Sequence, residues 1–307
     1  MNIKNPIPID NIGDPYILYF EGKYYLYATC HFNGYYCWIS ENMNDWKEPV
    51  VCYEATDKSF GNSCFWAPEV YFFNGKFYMY YTAQWKIYKE EALRIGVAVS
   101  DKPEGPFEDV LNEQPMFDFG YGVLDAHILK DGEHNYFYYS RAGADHYVNG
   151  AKESEIYAVE LGEDFISVKG EGNLILRPEQ DWERIYDGEK QFWNEGPFVM
   201  KEEGRYHMMY SANFYASKHY GIGCAVSDNP MGPFKKYENN PILSTTDIIS
   251  GPGHNSVVKA LDGKYYCIYH AHTYYDNPSG DRQVYITPLM FQSGKIYMEH
   301  PRLDTEQ

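Results

Sequence analysis

Five times along the chain, a short run of alternating apolar and polar positions leads into a polar turn and then into a strand dense in aromatic residues. The stretches run from Gly13 to Thr29, Ala67 to Ala83, Leu124 to Ser140, Trp193 to Ala212 and His254 to His272. Alternation of this kind on both sides of a glycine-containing turn predicts an antiparallel hairpin. The turns centre on Gly22, Gly75, Gly132, Gly204 and Gly263. These glycines recur at intervals of roughly fifty to seventy residues, the length of a propeller blade with inserted loops. Two outer segments echo each other, GVAVSDKPEGPFEDV from Gly96 to Val110 and GCAVSDNPMGPFKKY from Gly223 to Tyr237. The pattern predicts an all-β, five-bladed β-propeller with residues 1–307 as one domain, since no Ser/Gly-rich or charge-block linker divides it.

Composition narrows the partners. The 32 tyrosines and 17 phenylalanines suit half-buried strands, and most are expected to pack between sheets, with some offering faces on which a sugar can stack. A formal charge of −18 opposes nucleic-acid binding, which needs clustered Lys and Arg. No uncharged apolar run is long enough for a membrane helix, and the opening MNIKNPIPIDNIG lacks the apolar core of a signal peptide, so a cytoplasmic protein is expected, or a secreted one if a leader was removed. The six cysteines, Cys30, Cys37, Cys52, Cys64, Cys224 and Cys267, form neither CxxC pairs nor a secreted framework and read as reduced; Cys30 and Cys37 are spaced to face each other across a hairpin.

The chemistry lies where the inner strands begin, because those strands converge on the central channel of a propeller. Asp14 follows Gly13 there, Asp125 follows Leu124, and Glu195 precedes a Gly-Pro break; the three read as occupying matching registers, with His254 at the same position in the fifth repeat. Gathering acids costs repulsion, and sites do so to hold a metal or to split pKa values for acid and base work. No zinc-type spacing, phosphate loop or G-x-S-x-G is present. Glycoside hydrolysis is the reaction that most directly needs one charged and one protonated carboxyl. Trp66 suits either a seam between blades or the floor of a sugar site. Glu69, one step into its strand, reads as structural, bonding backbone amides. The polar stretch from Arg141 to Glu155 reads as a rim loop.

Taken together, GDP at Gly13, WAPE at Trp66, LDAH at Leu124, NEGPF at Asn194 and GHNSVV at Gly253 make the chain resemble glycoside hydrolase family 43, five-bladed propellers acting on arabinose- and xylose-containing glycans. The resemblance implies Asp14 as general base, Asp125 as the residue that tunes and orients the acid, and Glu195 as general acid of an inverting mechanism. It implies that His254 faces the channel near a bound calcium or another ion reached partly through waters, with no cofactor needed for the chemistry, and that Arg282 contacts sugar hydroxyls. Asp125 is followed by Ala126 where many members have proline, and no β-sandwich domain is expected after Arg302. The implied partner is an arabinose- or xylose-containing oligosaccharide, cleaved by an exo-acting arabinofuranosidase or xylosidase, with endo-arabinanase as the alternative. A phosphorolytic propeller would need a basic cluster beside the acid, and a sugar-binding propeller would keep Trp66 and Arg282 without needing the acids.

Overall fold

The computed structural model describes residues 3–30, 32–186, 188–299 and 301. Its strands fall into five groups in chain order. The first blade is β1 (Gly13–Phe20), β2 (Lys23–Thr29), β3 (Gly34–Ser40) and β4 (Val50–Glu54). The second is β5 (Trp66–Phe73), β6 (Lys76–Gln84), β7 (Leu93–Ser100) and β8 (Glu108–Asp109). The third is β9 (Val123–Asp131), β10 (His134–Arg141), the short β11 (Tyr147–Val148), β12 (Ala151–Leu161) and β13 (Val168–Leu176). The fourth is β14 (Gln191–Glu202), β15 (Arg205–Ala212), β16 (Gly221–Ser227) and β17 (Lys235–Lys236), and the fifth is β18 (Gly253–Lys259), β19 (Tyr265–His272), β20 (Arg282–Gln292) and β21 (Lys295–Met298). Each blade is an antiparallel meander, and a short parallel pairing of Lys152–Ser154 with Gln191–Trp193 joins the third to the fourth. Among the described residues no helix is long and apolar enough to cross a membrane.

The expected turns are where the pattern put them, for a backbone reason. Glu21–Gly22, Asn74–Gly75 and Glu203–Gly204 each place two successive residues at positive φ, the type I′ geometry whose twist matches that of the flanking strands. The inner strands then close a ring: β1 packs on β5, β5 on β9, β9 on β14, β14 on β18, and β18 back on β1. The segment before β1 seals the last seam. Ile7 N–H donates to Val284 O (2.9 Å) and Ile12 N–H to Arg282 O (3.2 Å), while Ile7, Ile9 and Ile12 are buried.

Every inner strand carries a bulge near its start. The register skips between Gly13 and Tyr16, Leu124 and His127, Trp66 and Glu69, Glu195 and Phe198, and Gly253 and Ser256. The bulged residues Asp14, Ala67, Asp125, Gly196 and His254 all have φ between 45° and 59°, a conformation costly for a side-chain-bearing residue unless the surroundings impose it. A ring of hydrogen bonds imposes it. The Ala67 N–H donates to Thr29 Oγ1 (2.8 Å), Asp125 N–H to Thr82 Oγ1 (3.1 Å), Gly196 N–H to Ser140 Oγ (3.1 Å), His254 N–H to Ser211 Oγ (2.7 Å) and Asp14 N–H to His270 Nδ1 (3.1 Å). Each bond crosses from one blade to the one before it. The register therefore differs from the expectation in one place: Gly196, not Glu195, is the counterpart of Asp14, Asp125 and His254.

The tyrosines stitch seams through their hydroxyls. Tyr27 reaches Pro103 O, Tyr80 reaches Phe165 O (2.7 Å) and Tyr138 reaches Pro230 O (2.8 Å), each spanning to the next blade. Leaving one such buried hydroxyl unpaired would cost about 1–3 kcal/mol. The corresponding positions in the fourth and fifth blades, Met209 and Ile268, are apolar.

Candidate active site

Asp14, Trp66, Asp125, Glu195, His254 and Arg282 all line one cavity of about 390 Å³ at the mouth of the channel. The first three blades and the last two thus each contribute, and the bulges explain how. A residue in left-handed backbone turns its side chain out of the strand's alternation, so Asp14, Asp125 and His254 reach the axis. Glu195 reaches it from the position just before the bulge.

The Asp14 side of the cavity is cationic. Its Oδ1 accepts from Arg282 Nη1 at 2.6 Å and lies 3.4 Å from His254 Nδ1, while Oδ2 accepts from Thr29 Oγ1 at 2.6 Å. Burial pushes the Asp14 carboxyl up, but Arg282, then His254, His270 and the Thr29 hydroxyl, together hold it well below the usual carboxylate range. Arg282 is therefore committed first to Asp14. Its guanidinium also lies 5.3 Å from the Tyr215 ring centre, and a side chain at Gly13 would collide with it. His270 lies 3.4 Å from Asp14 Oδ1, yet this contact is not an ion pair. Burial and the neighbouring Arg282 keep its imidazole neutral, and its Nδ1 is already accepting the Asp14 N–H.

The Glu195 side is anionic and apolar. Glu195 Oε1 accepts from the Tyr220 hydroxyl at 2.8 Å. Burial first, then the Asp125 charge, push the Glu195 carboxyl up to about 8, against opposing contributions from Tyr220 and His254. Asp125 Oδ2 accepts from Gly196 N–H (3.1 Å) and Ser140 Oγ (3.0 Å). Burial also raises Asp125, with His254 opposing and Asp14 adding to the rise. Two donors converge on Asp125 and one on Glu195, so the proton the pair retains resides on Glu195. His254 is lowered by burial but raised more by Asp14, Asp125 and Glu195, for a net upward shift.

The donors around His254 do not suit an ion ligated directly by side chains. Below the carboxyls the channel narrows to a void of about 10 Å³ lined by Asp14, Glu69, Asp125, His254 and Asn255 among others, which is room for about one water. Calcium takes roughly six to eight oxygen ligands. Here both Asp14 oxygens and one Asp125 oxygen are engaged, and among the described residues no group of three His, Cys, Asp or Glu side chains is placed to hold a metal. The residues present do not fit a directly ligated calcium.

Several residues sit elsewhere than the sequence suggested. Glu69 bonds side chains, Tyr71 Oη and His127 Nδ1 (3.0 Å), rather than backbone amides. Within the stretch read as a rim loop, Ala142–Ala144 do line the cavity, but Glu153 and Glu155 are buried in β12 beside Arg184 (3.3 Å) and Arg177 (2.8 Å). The cysteines are free, and Cys30 lines the cavity. Trp193, Tyr215 and Tyr220 also line it and were not singled out in the sequence. Trp193 stands two residues before Glu195, and a side chain on the facing Gly143 would strike its ring.

A propeller whose axis holds one carboxyl kept charged and another kept protonated above a sugar-sized cavity defines a glycoside-cleaving enzyme class. The profile of the glycosyl hydrolases family 43 matches residues 3–296, and the chain belongs to that family. A thermostable family-43 glycoside hydrolase of known structure superposes with a TM-score of 0.93 at 44% identity, covering 100% of this chain and 98% of its own. A β-D-galactofuranosidase of Aspergillus niger is 28% identical over 95% of this chain and 83% of its own length. A xylosidase/arabinosidase of Bacteroides ovatus is 27% identical over 86% and 87%.

Proposed function

We propose that the protein is an inverting, exo-acting glycosidase that releases terminal arabinose or xylose from glycan oligosaccharides. The observation that carries this reading is the opposed titration of Asp14 and Glu195 across one cavity. Ionised Asp14 takes a proton from a water as that water's oxygen bonds to the anomeric carbon. Protonated Glu195 gives its proton to the glycosidic oxygen as the bond between that oxygen and the anomeric carbon breaks. One water is consumed, and the two carboxyls exchange protonation states until solvent restores them. Asp125 contributes charge that keeps Glu195 protonated and, through the Gly196 N–H, fixes the strand segment that carries it. Trp66 and Trp193 offer faces for the sugar ring, and Arg282 holds Asp14 with a hydroxyl of the sugar as its second partner.

The named relatives support pentosides as substrates, and a cavity near the small end of ligand pockets supports exo action. A galactofuranoside is a second reading, favoured by the Aspergillus niger relative's name. Arg282 is bound to Asp14, which leaves no free basic cluster beside Glu195 among the described cavity-lining residues, so water rather than phosphate is the assigned nucleophile. Aryl α-L-arabinofuranoside, aryl β-D-xyloside, aryl β-D-galactofuranoside and linear arabinan should separate the substrates by kcat/KM. Proton NMR of the first-formed sugar should show the anomer opposite to the substrate; retention would overturn the roles given to Asp14 and Glu195.

A further inference from the structure

Glu195 is held by the Tyr220 hydroxyl, behind which Ser211 and the His254 backbone follow. A backbone N–H can only donate, so His254 N–H gives its proton to Ser211 Oγ at 2.7 Å. The Ser211 hydroxyl still has its own proton to give, and toward Tyr220 it acts as a donor that lowers the phenol's pKa. Tyr220 in turn donates to Glu195 Oε1 at 2.8 Å. Oε1 is therefore an acceptor in the resting site, and a proton on Glu195 belongs on Oε2, for which no protein partner is found among the described residues. Glu195 lines the cavity, so the oxygen left for the proton is the one free to meet a bound substrate.

The Tyr220 ring is placed for this task. It is fully buried, it lies against Gly253, where a Cβ would come 2.0 Å from it, and it stacks on His270 at 5.7 Å and 7°. That same imidazole accepts the Asp14 N–H at 3.1 Å. A single aromatic stack thus links the backbone of the charged carboxyl to the side chain of the protonated one.

We propose that Tyr220 is the positioning residue of the acid: its hydroxyl selects the form of Glu195 protonated on Oε2 and aims that proton into the cavity. The proposal rests on the assignment of Glu195 as acid. A hydroxyl donating to a carboxyl favours its ionised form, so Tyr220 also keeps the Glu195 proton transferable against burial and the Asp125 charge.

Tyr220→Phe removes the hydroxyl and retains the ring, its stack on His270 and its contact with Gly253. Losing one hydrogen bond to a charged group should raise the Glu195 pKa by about one unit. The alkaline limb of kcat/KM should move to higher pH by that amount. At the optimum, kcat should fall about tenfold on a glycan whose leaving alkoxide needs a proton and much less on an activated aryl glycoside. Ser211→Ala, which removes a donor to Tyr220, should shift the limb the same way by less. The pKa can be read without turnover from the carboxyl C=O stretch in infrared difference titrations of wild type against Glu195→Gln. If Glu195 titrates as an ordinary carboxyl in wild type, the acid assignment itself fails. If it titrates high in wild type but Tyr220→Phe leaves both the infrared pKa and the limb unmoved, or weakens both substrate types equally, the proposal is overturned and Tyr220 is packing alone.

Discussion

Asp14 and Glu195 share a cavity, and their environments drive them in opposite directions. Around Asp14 stand Arg282, His254 and the Thr29 hydroxyl, all of which favour charge. Around Glu195 stand a buried wall and the Asp125 carboxyl, both of which oppose it, with Tyr220 as the main counterweight. Desolvation is the largest single influence on each, so burial alone does not distinguish the proposed base from the proposed acid. The neighbours do. The fivefold scaffold makes this arrangement accessible, because each blade offers the same bulge held by the same cross-blade bond, and only the occupants change: Asp, Ala, Asp, Gly and His. Ala67 and Gly196 leave two positions without a charged chain, which limits the repulsion around the axis.

The comparison is broken most severely by removing either carboxyl. Glu195→Gln should lose several orders of magnitude, about 10²–10⁴-fold, on natural glycans and far less on an activated aryl glycoside. Asp14→Asn should lose a comparable factor on both, because every substrate needs the water deprotonated. Parallel losses for Glu195→Gln on the two substrate types, measured as kcat/KM, would place the proton donor elsewhere.

Smaller changes should move one side while leaving the other. Arg282→Met takes the nearest cation from Asp14, whose pKa should rise by about one to three units, so the acidic limb of the pH profile should move to higher pH. Asp125→Asn takes the like charge from Glu195, whose pKa should fall, and the alkaline limb should move to lower pH. The second shift should be partial, since burial remains the larger cause of the elevation. The two substitutions narrow the profile from opposite ends, and a limb moving the other way in either would contradict the assigned pairing.

Much of this was legible in the sequence, and the remainder has physical causes. The hairpins could be read because type I′ turns demand glycine at defined positions, and the carboxyls because they sit at strand starts in a repeated phrase. The register of Glu195 was misread by one residue because the bulge leaves no signature in residue type. Its φ is imposed by Thr29, Thr82, Ser140, Ser211 and His270, partners a blade away, so alanine and aspartate occupy it as well as glycine. Trp193, Tyr220 and His270 were hidden by abundance, since a chain with 32 tyrosines gives no local reason to single out Tyr220. Glu153 and Glu155 fell in a stretch read as a rim loop because their partners Arg184 and Arg177 lie on another segment.

The smallest effect follows from the same opposition, expressed in stability rather than rate. A carboxyl whose folded pKa is raised binds its proton more tightly in the native state than in the unfolded chain, so stability declines as pH rises between the two values. For Glu195 that window runs from the ordinary 4.5 to about 8. Glutamine does not titrate. Glu195→Gln should therefore melt close to wild type below pH 4.5 and above it at pH 8–9, with a gap that widens across the window and amounts to a few degrees for a chain of this size. Asp14→Asn should behave in the reverse sense. Its lowered pKa makes the charged form a source of stability at neutral pH, and the variant should melt below wild type there, with the deficit shrinking as pH falls. Melting curves of the three proteins from pH 2 to pH 9 measure both slopes, that of Asp14 appearing only below its ordinary 3.8. If Glu195→Gln is destabilised by the same amount at every pH, its carboxyl is held in place for packing rather than kept protonated against burial and the charge of Asp125.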